Sequence, residues 1–168
     1  METSSPDQTK EVRAVRRILV VANQTLGGDH LAEVIKKRIA ERPTRFALLV
    51  PATHRTDVVV ALAEAFAVQG GMRPPAPTVD DDVAAKSRVE AGLEWMRALG
   101  AAADGYVGEH DPVRAIRDLL ADQECDEIIV STLPHGLSSW LHQDLPHRAE
   151  RASGLPVTVV SAAHPAAS

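Results

Sequence analysis

Five short apolar runs alternate along this chain with stretches of helical period. Ile18-Leu19-Val20-Val21-Ala22 is continuous and apolar and ends at Asn23-Gln24-Thr25 and Gly27-Gly28, which predicts a buried strand leading into a turn. From Asp29 to about Ala40, Leu31, Ile35 and Ile39 recur at four-residue steps beside Val34, predicting a helix with Lys36-Lys37-Arg38 on its exposed side and Pro43 as its stop. Phe46 to Val50 is the second strand. Asp80-Asp81-Asp82 then precede a helix from Val83 to about Leu99 that buries Leu93, Met96 and Leu99. Gly105 to Gly108 is a short third strand, and Asp111-Pro112 opens a helix with an N-cap residue and a proline at its first position. That helix buries Val113, Ile116, Leu119 and Leu120 and leads through Cys125-Asp126 into the strand Glu127 to Val130. Ser131 to Gly136 turn the chain, a helix covers roughly Leu137 to Ala152 with Pro146 as a kink, and Pro156 to Val160 is the fifth strand.

Strands alternating with helices define parallel βαβ units, so the pattern predicts an α/β domain with a mostly parallel, doubly wound, five-stranded sheet over residues 16–162. Residues 1–15 are polar and charged and are expected to form a flexible tail, as are residues 163–168. The segment 51–81 resists reading: Ala and Leu favour a helix at Val58 to Val68, whereas Val58-Val59-Val60 argues against one, and Pro74-Pro75-Ala76-Pro77 marks a loop.

Composition narrows the function classes. Apolar residues make up 45% of the chain and aromatic residues 3%, so the core is aliphatic and needs no disulfide or metal. A net charge of -5 opposes a broad grip on nucleic-acid phosphates. The basic clusters Arg13-Arg16-Arg17 and Lys36-Lys37-Arg38 suit solvated flanks. Cys125 is the lone cysteine, which rules out an intrachain disulfide, and no apolar run reaches membrane-spanning length. The expected setting is cytoplasmic, without nucleic-acid or membrane partners.

In a doubly wound sheet, ligands gather beyond the carboxyl ends of strands where the winding reverses, here the loops after strands one and four. The chain resembles the universal stress protein family after Arg17, on Gly108-Glu109-His110-Asp111-Pro112 followed by Ala115-Ile116, on Asp126 to Val130, and on Gly154-Leu155-Pro156-Val157-Thr158-Val159-Val160. The resemblance implies strand order 3-2-1-4-5, homodimers through the last strand and, in one subset, ATP held between those two loops. That subset is similar in a pattern of Gly, two residues, Gly, nine residues, then Gly followed by Ser or Thr. Here the pattern falls on Ser131, Pro134, Asp144 and Leu145, and all four depart from it. Pro134 lacks an amide proton, Ser131 has a side chain where close approach is wanted, and Leu145 removes a hydroxyl. A carboxylate at Asp144 about 4 Å from a phosphate repels it by roughly 4 kcal/mol at an effective dielectric of 20. Asn23 stands where ATP-binding members have aspartate.

The implied cleft therefore comprises Asn23, Thr25, Val50, Ser131, Thr132, His135 and Gly136, with no cofactor required and ATP or AMP as possible ligands. Three readings stay open: a non-catalytic stress-response or regulatory module with a degenerate nucleotide site, a sensor of AMP, ATP or another polar metabolite, and a hydrolase or transferase resting only on fold analogy. No catalytic residue is assigned, because Ser131, His135 and Asp144 lack a Gly-x-Ser-x-Gly elbow. No metal site is assigned either, because His142, Asp144 and His147 do not have the i, i+4 spacing of a helical ligand pair.

Overall fold

The computed structural model describes residues 15–22, 25–52, 81–133, 140 and 143–161. The expectations for the two tails, for most of the 51–81 segment, and for Asn23, Pro134, His135, Gly136 and His142 fall outside these residues. In chain order the elements are β1 (Arg16–Val21), α1 (Asp29–Glu41), β2 (Thr44–Pro51), α2 (Asp81–Ala98), β3 (Ala102–Gly108), α3 (Pro112–Asp122), β4 (Glu127–Thr132), α4 (Leu145–Ser153) and β5 (Val157–Ser161). All the strand pairings are parallel and the sheet order is β3-β2-β1-β4-β5, as the resemblance implies.

Period-two alternation splits the apolar side chains of the central strands between two faces. Ile18, Val20, Phe46, Leu48 and Ile129 point to one face, where they pack with Leu31 and Ile35 of α1 and with Val89 and Met96 of α2. Leu19, Val21, Leu49, Ile128 and Val130 point to the other, against Val113, Ile116 and Leu119 of α3 and Leu145 and Ala149 of α4. Strands buried on both sides explain the uninterrupted apolar runs. The α2 layer lies so close to β3 that a Cβ on Gly105 would come within 2.3 Å of Val89 Cγ1 and 2.9 Å of Leu93 Cδ1.

Helix boundaries follow their caps. Asp111 Oδ1 accepts from Val113 N at 3.0 Å and Pro112 occupies the first turn of α3. Gly154, at φ 69°, closes α4 with its N–H on Glu150 O at 2.8 Å.

Four local expectations are corrected. Pro146 lies in the first turn of α4, where its missing N–H costs nothing, and so does not kink the helix. Ser131 and Thr132 are the last residues of β4 rather than part of the turn, because they pair with Val160 and Ser161 of β5. β3 begins at Ala102, three residues before the expected start at Gly105, because Arg45 pairs with Ala102. Arg38 is not a solvated member of a lysine-arginine cluster but turns inward to Glu127.

Glu127 is 3% exposed at the amino end of β4. Arg38 grips it with Nε donating to Oε2 at 3.1 Å and Nη2 to Oε1 at 2.8 Å. Arg16 Nη2 stands 2.9 Å from Oε2, and Thr158 Oγ1 donates to Oε1 at 2.9 Å. Glu41 joins from the solvent side, 3.2 Å from Arg16 and 3.5 Å from Arg38. One buried carboxylate thus ties β1, α1, β4 and β5 together.

Candidate functional site

The described residues of the expected cleft lie toward the opposite, carboxyl ends of β1, β2 and β4. Thr25 follows β1 and Ser131 lies in β4, 106 positions apart, yet Thr25 Oγ1 donates to Ser131 O at 3.0 Å and Ser131 Oγ donates to Thr25 Oγ1 at 2.7 Å. Both are buried, at 7% and 2% exposure. The pair staples the first loop to the end of β4 and satisfies both hydroxyls. The Ser131 hydroxyl is thus held by Thr25, a residue of the first loop, and not by a histidine among the described residues.

Thr132 is the next residue and points to the sheet's other face. It is 2% exposed, and its Oγ1 has no hydrogen-bond partner among the described residues. Val50 lies at the end of β2, one step beyond the Val21–Leu49 pair, with its side chain wholly inside the core. Val50 therefore belongs to the core and offers only backbone polar groups.

The first loop leads into α1 through Gly27, at φ 89°, a conformation that disfavours residues with a Cβ. Gly28 is the N-cap of α1 and supplies no side-chain cap. The helix start therefore presents amides near Thr25, with Asp29 in its first turn complementing the positive end of the helix.

Asp144 is the N-cap of α4 and has φ 55° and ψ 39°, the only positive φ outside glycine among the described residues. This left-handed geometry is one that glycine adopts without strain and that aspartate tolerates better than most residues. Leu145 is buried at 1% exposure against Ala149 and the sheet, which explains why an apolar side chain occupies the signature's hydroxyl position.

The Asp144 carboxylate makes no capping bond and instead meets His147 Nδ1 at 2.5 Å, with its side chain 55% exposed. That exposure corrects the expected repulsion. Near bulk dielectric, a unit charge at about 4 Å interacts by only ~1 kcal/mol, so Asp144 discourages a phosphate without forbidding it.

No cluster of metal-ligating side chains is present among the described residues. Cys125 is half-buried; burial, and then the charge of Asp126, raise its thiol pKa against a smaller opposing pull from Arg17. Trp95 and Trp140 are partly buried against the two cores.

Sequence reasoning missed the Arg16–Glu127–Arg38 network and the Asp144–His147 pair. The latter has the local signal of an i, i+3 acid-histidine spacing. The former has none, since Arg38 and Glu127 are 89 positions apart.

The parallel order β3-β2-β1-β4-β5, with two helices on each face, is the universal stress protein fold. No protein-family model and no curated protein matches the chain. Solved structures do. A universal stress protein family protein from Arabidopsis thaliana with AMP bound superposes with a TM-score of 0.55 at 12% identity, over 88% of this chain and 92% of that one. The universal stress protein from Archaeoglobus fulgidus in complex with dAMP gives 0.54 at 13% identity, over 86% and 96%. A universal stress protein in complex with cAMP gives 0.50 at 16% identity, over 89% and 99%. At this identity the likeness establishes the fold.

Proposed function

We propose that the chain is a non-catalytic regulatory module of the universal stress type. Its cleft beyond β1 and β4 takes a nucleotide with few phosphates, AMP before ATP, or another small polar metabolite. The observation that carries this reading is the Thr132 hydroxyl at the end of β4, buried and unpartnered among the described residues, on the opposite face of the strand from the Thr25–Ser131 staple. Leaving a buried hydroxyl unsatisfied costs about 1–3 kcal/mol, and a polar ligand atom would offset that cost.

Each of the three structural neighbours holds a nucleotide with one phosphate. Pro134 and Leu145 remove an amide and a hydroxyl from the loop that would hold further phosphates, and Asp144 adds a carboxylate. A single phosphate makes the smallest demand on such a loop.

Calorimetric titration of AMP, ADP and ATP, each with and without magnesium, into protein stripped of ligand tests the reading. Saturable AMP binding with no gain from added phosphates is the expected outcome. Tight Mg-ATP binding would overturn the preference for few phosphates, and silence from all three would leave the metabolite reading to be tested on co-purified ligand. Thr132→Val is expected to raise the melting temperature of the empty protein and to weaken AMP binding.

The assembly we propose is a homodimer through β5. This strand forms one edge of the sheet, and Val159 on it is 42% exposed. An apolar parallel edge left open to water invites pairing with a second copy. Sedimentation at micromolar concentration should give twice the chain mass, and a strict monomer would exclude the dimer. A cytoplasmic setting is supported by the single unpaired cysteine.

A further inference from the structure

On the face away from α1 and α2, α3 and α4 flank an open groove of about 560 Å³ whose walls carry Arg114, Arg117, Arg148 and Arg151 against Asp111 and Asp118. Arg114 is paired, with Nε 3.2 Å from Glu109 Oε2. Among the described residues Arg117, Arg148 and Arg151 have no carboxylate partner. One Asp111 oxygen is spent on the α3 cap, and the Asp144 carboxylate at the head of α4 is turned to His147.

The four arginines form two like-charge pairs at i, i+3, one on each helix, and both pairs line the same groove. Like charges at that spacing repel and weaken a helix. The surrounding chain offers little relief, although its net charge of -5 supplies ample carboxylates elsewhere. A positive island on an acidic protein, with three of its four forks free of a carboxylate among the described residues, is complementary to an external oxyanion.

We infer that this groove docks a short acidic segment of a partner protein, held by Arg117, Arg148 and Arg151. Guanidinium forks bind carboxylates with two parallel hydrogen bonds, which a run of Asp or Glu side chains can supply at successive positions. A nucleic acid fits less well. Its charge continues past the groove onto the acidic remainder of the surface, and Asp111 and Asp118 would face its phosphates. The site lies outside the β1–β4 cleft, so it stands independently of the proposed ligand.

The test is fluorescence anisotropy of a labelled hexaglutamate peptide against the full chain, at low and at physiological salt, with Arg117→Gln/Arg151→Gln as the variant. Arg117 and Arg151 are exposed and the variant breaks both like-charge pairs, so its melting temperature should not fall below that of the wild type. Saturable binding that weakens as salt rises, and that falls by about tenfold or more in the variant, is the expected result. Equal peptide affinity in wild type and variant, or no binding to wild type at low salt, would overturn the inference. It would also be overturned if tripolyphosphate or a six-nucleotide oligothymidylate bound more tightly than the peptide and lost that binding in the variant, since the groove would then be a phosphate site.

Discussion

Replacing Glu127 by Gln keeps the side chain's size and removes its charge from the point where two guanidiniums converge. Arg38 loses a two-pronged partner at 3.1 and 2.8 Å, and Arg16 loses a contact at 2.9 Å. Breaking a buried ion pair by removing one partner costs about 3–5 kcal/mol. The Arg16 and Arg38 side chains are 22% and 17% exposed, and Glu41 stays beside both, so the low end applies, about 3 kcal/mol. At roughly 2–4 °C per kcal/mol for a chain of this size, the melting temperature should fall by about 6–12 °C.

The pH dependence supplies a second readout. Burial alone would raise the Glu127 carboxyl, but hydrogen bonds from Arg38 and Thr158 and the charges of Arg38 and Arg16 outweigh it and hold the group below its ordinary 4.5. A carboxyl whose pKa is lower in the folded state stabilises the fold above its unfolded value and loses that contribution as pH falls through the folded one. The stability gap between wild type and Glu127→Gln should therefore be full at neutral pH, persist down to the ordinary carboxylate value and close at more acid pH. Urea unfolding followed by circular dichroism across that range measures it. A gap under about 1 kcal/mol at neutral pH, the size typical of a solvated pair, would refute the reasoning, as would a gap that stays open in acid.

Further outcomes follow from single contacts. Gly105→Ala should destabilise by about 1–3 kcal/mol through overpacking against Val89 and Leu93, read by the same unfolding assay. Thr25→Val, which strands both Ser131 Oγ and Ser131 O, should cost more than Ser131→Ala, which removes one bond worth about 1 kcal/mol; the reverse order would disprove the donor assignments. Asp144→Gly should relieve the left-handed backbone and remove a carboxylate, so ATP binding by calorimetry should strengthen relative to wild type. The Cys125 thiol should react with a disulfide reagent at neutral pH more slowly than a free thiol, because burial and Asp126 both disfavour its thiolate.

The parts of the fold legible in the sequence were those with a local cause. β1, β2 and β4 are unbroken apolar runs because helices cover both sides of the sheet, and Asp111-Pro112 marks the start of α3 by chemistry that acts within three residues. β3 was under-read at its start because Ala102-Ala103-Asp104 carries little apolar weight and is held by its register with Arg45 to Ala47. Glu127 was legible only as the first residue of a strand. Its meaning depends on Arg16, Arg38 and Thr158, which no window on the sequence brings together. The cleft behaved likewise: Thr25 and Ser131 were identified one by one, but their mutual hydrogen bonding crosses 106 positions. Thr132 was named for its place at the loop and proved notable for lacking a partner.

The charge cluster at Glu127 and the staple at Ser131 occupy opposite ends of one strand, four residues and therefore about 13 Å apart. At that separation, with no shared partner, the free-energy effects of substitutions at the two ends should simply add. The Ser131 end can then change residue by residue without drawing on the cohesion supplied by the other end. Such a strand lets the residues beyond its carboxyl end vary while the sheet that carries them persists.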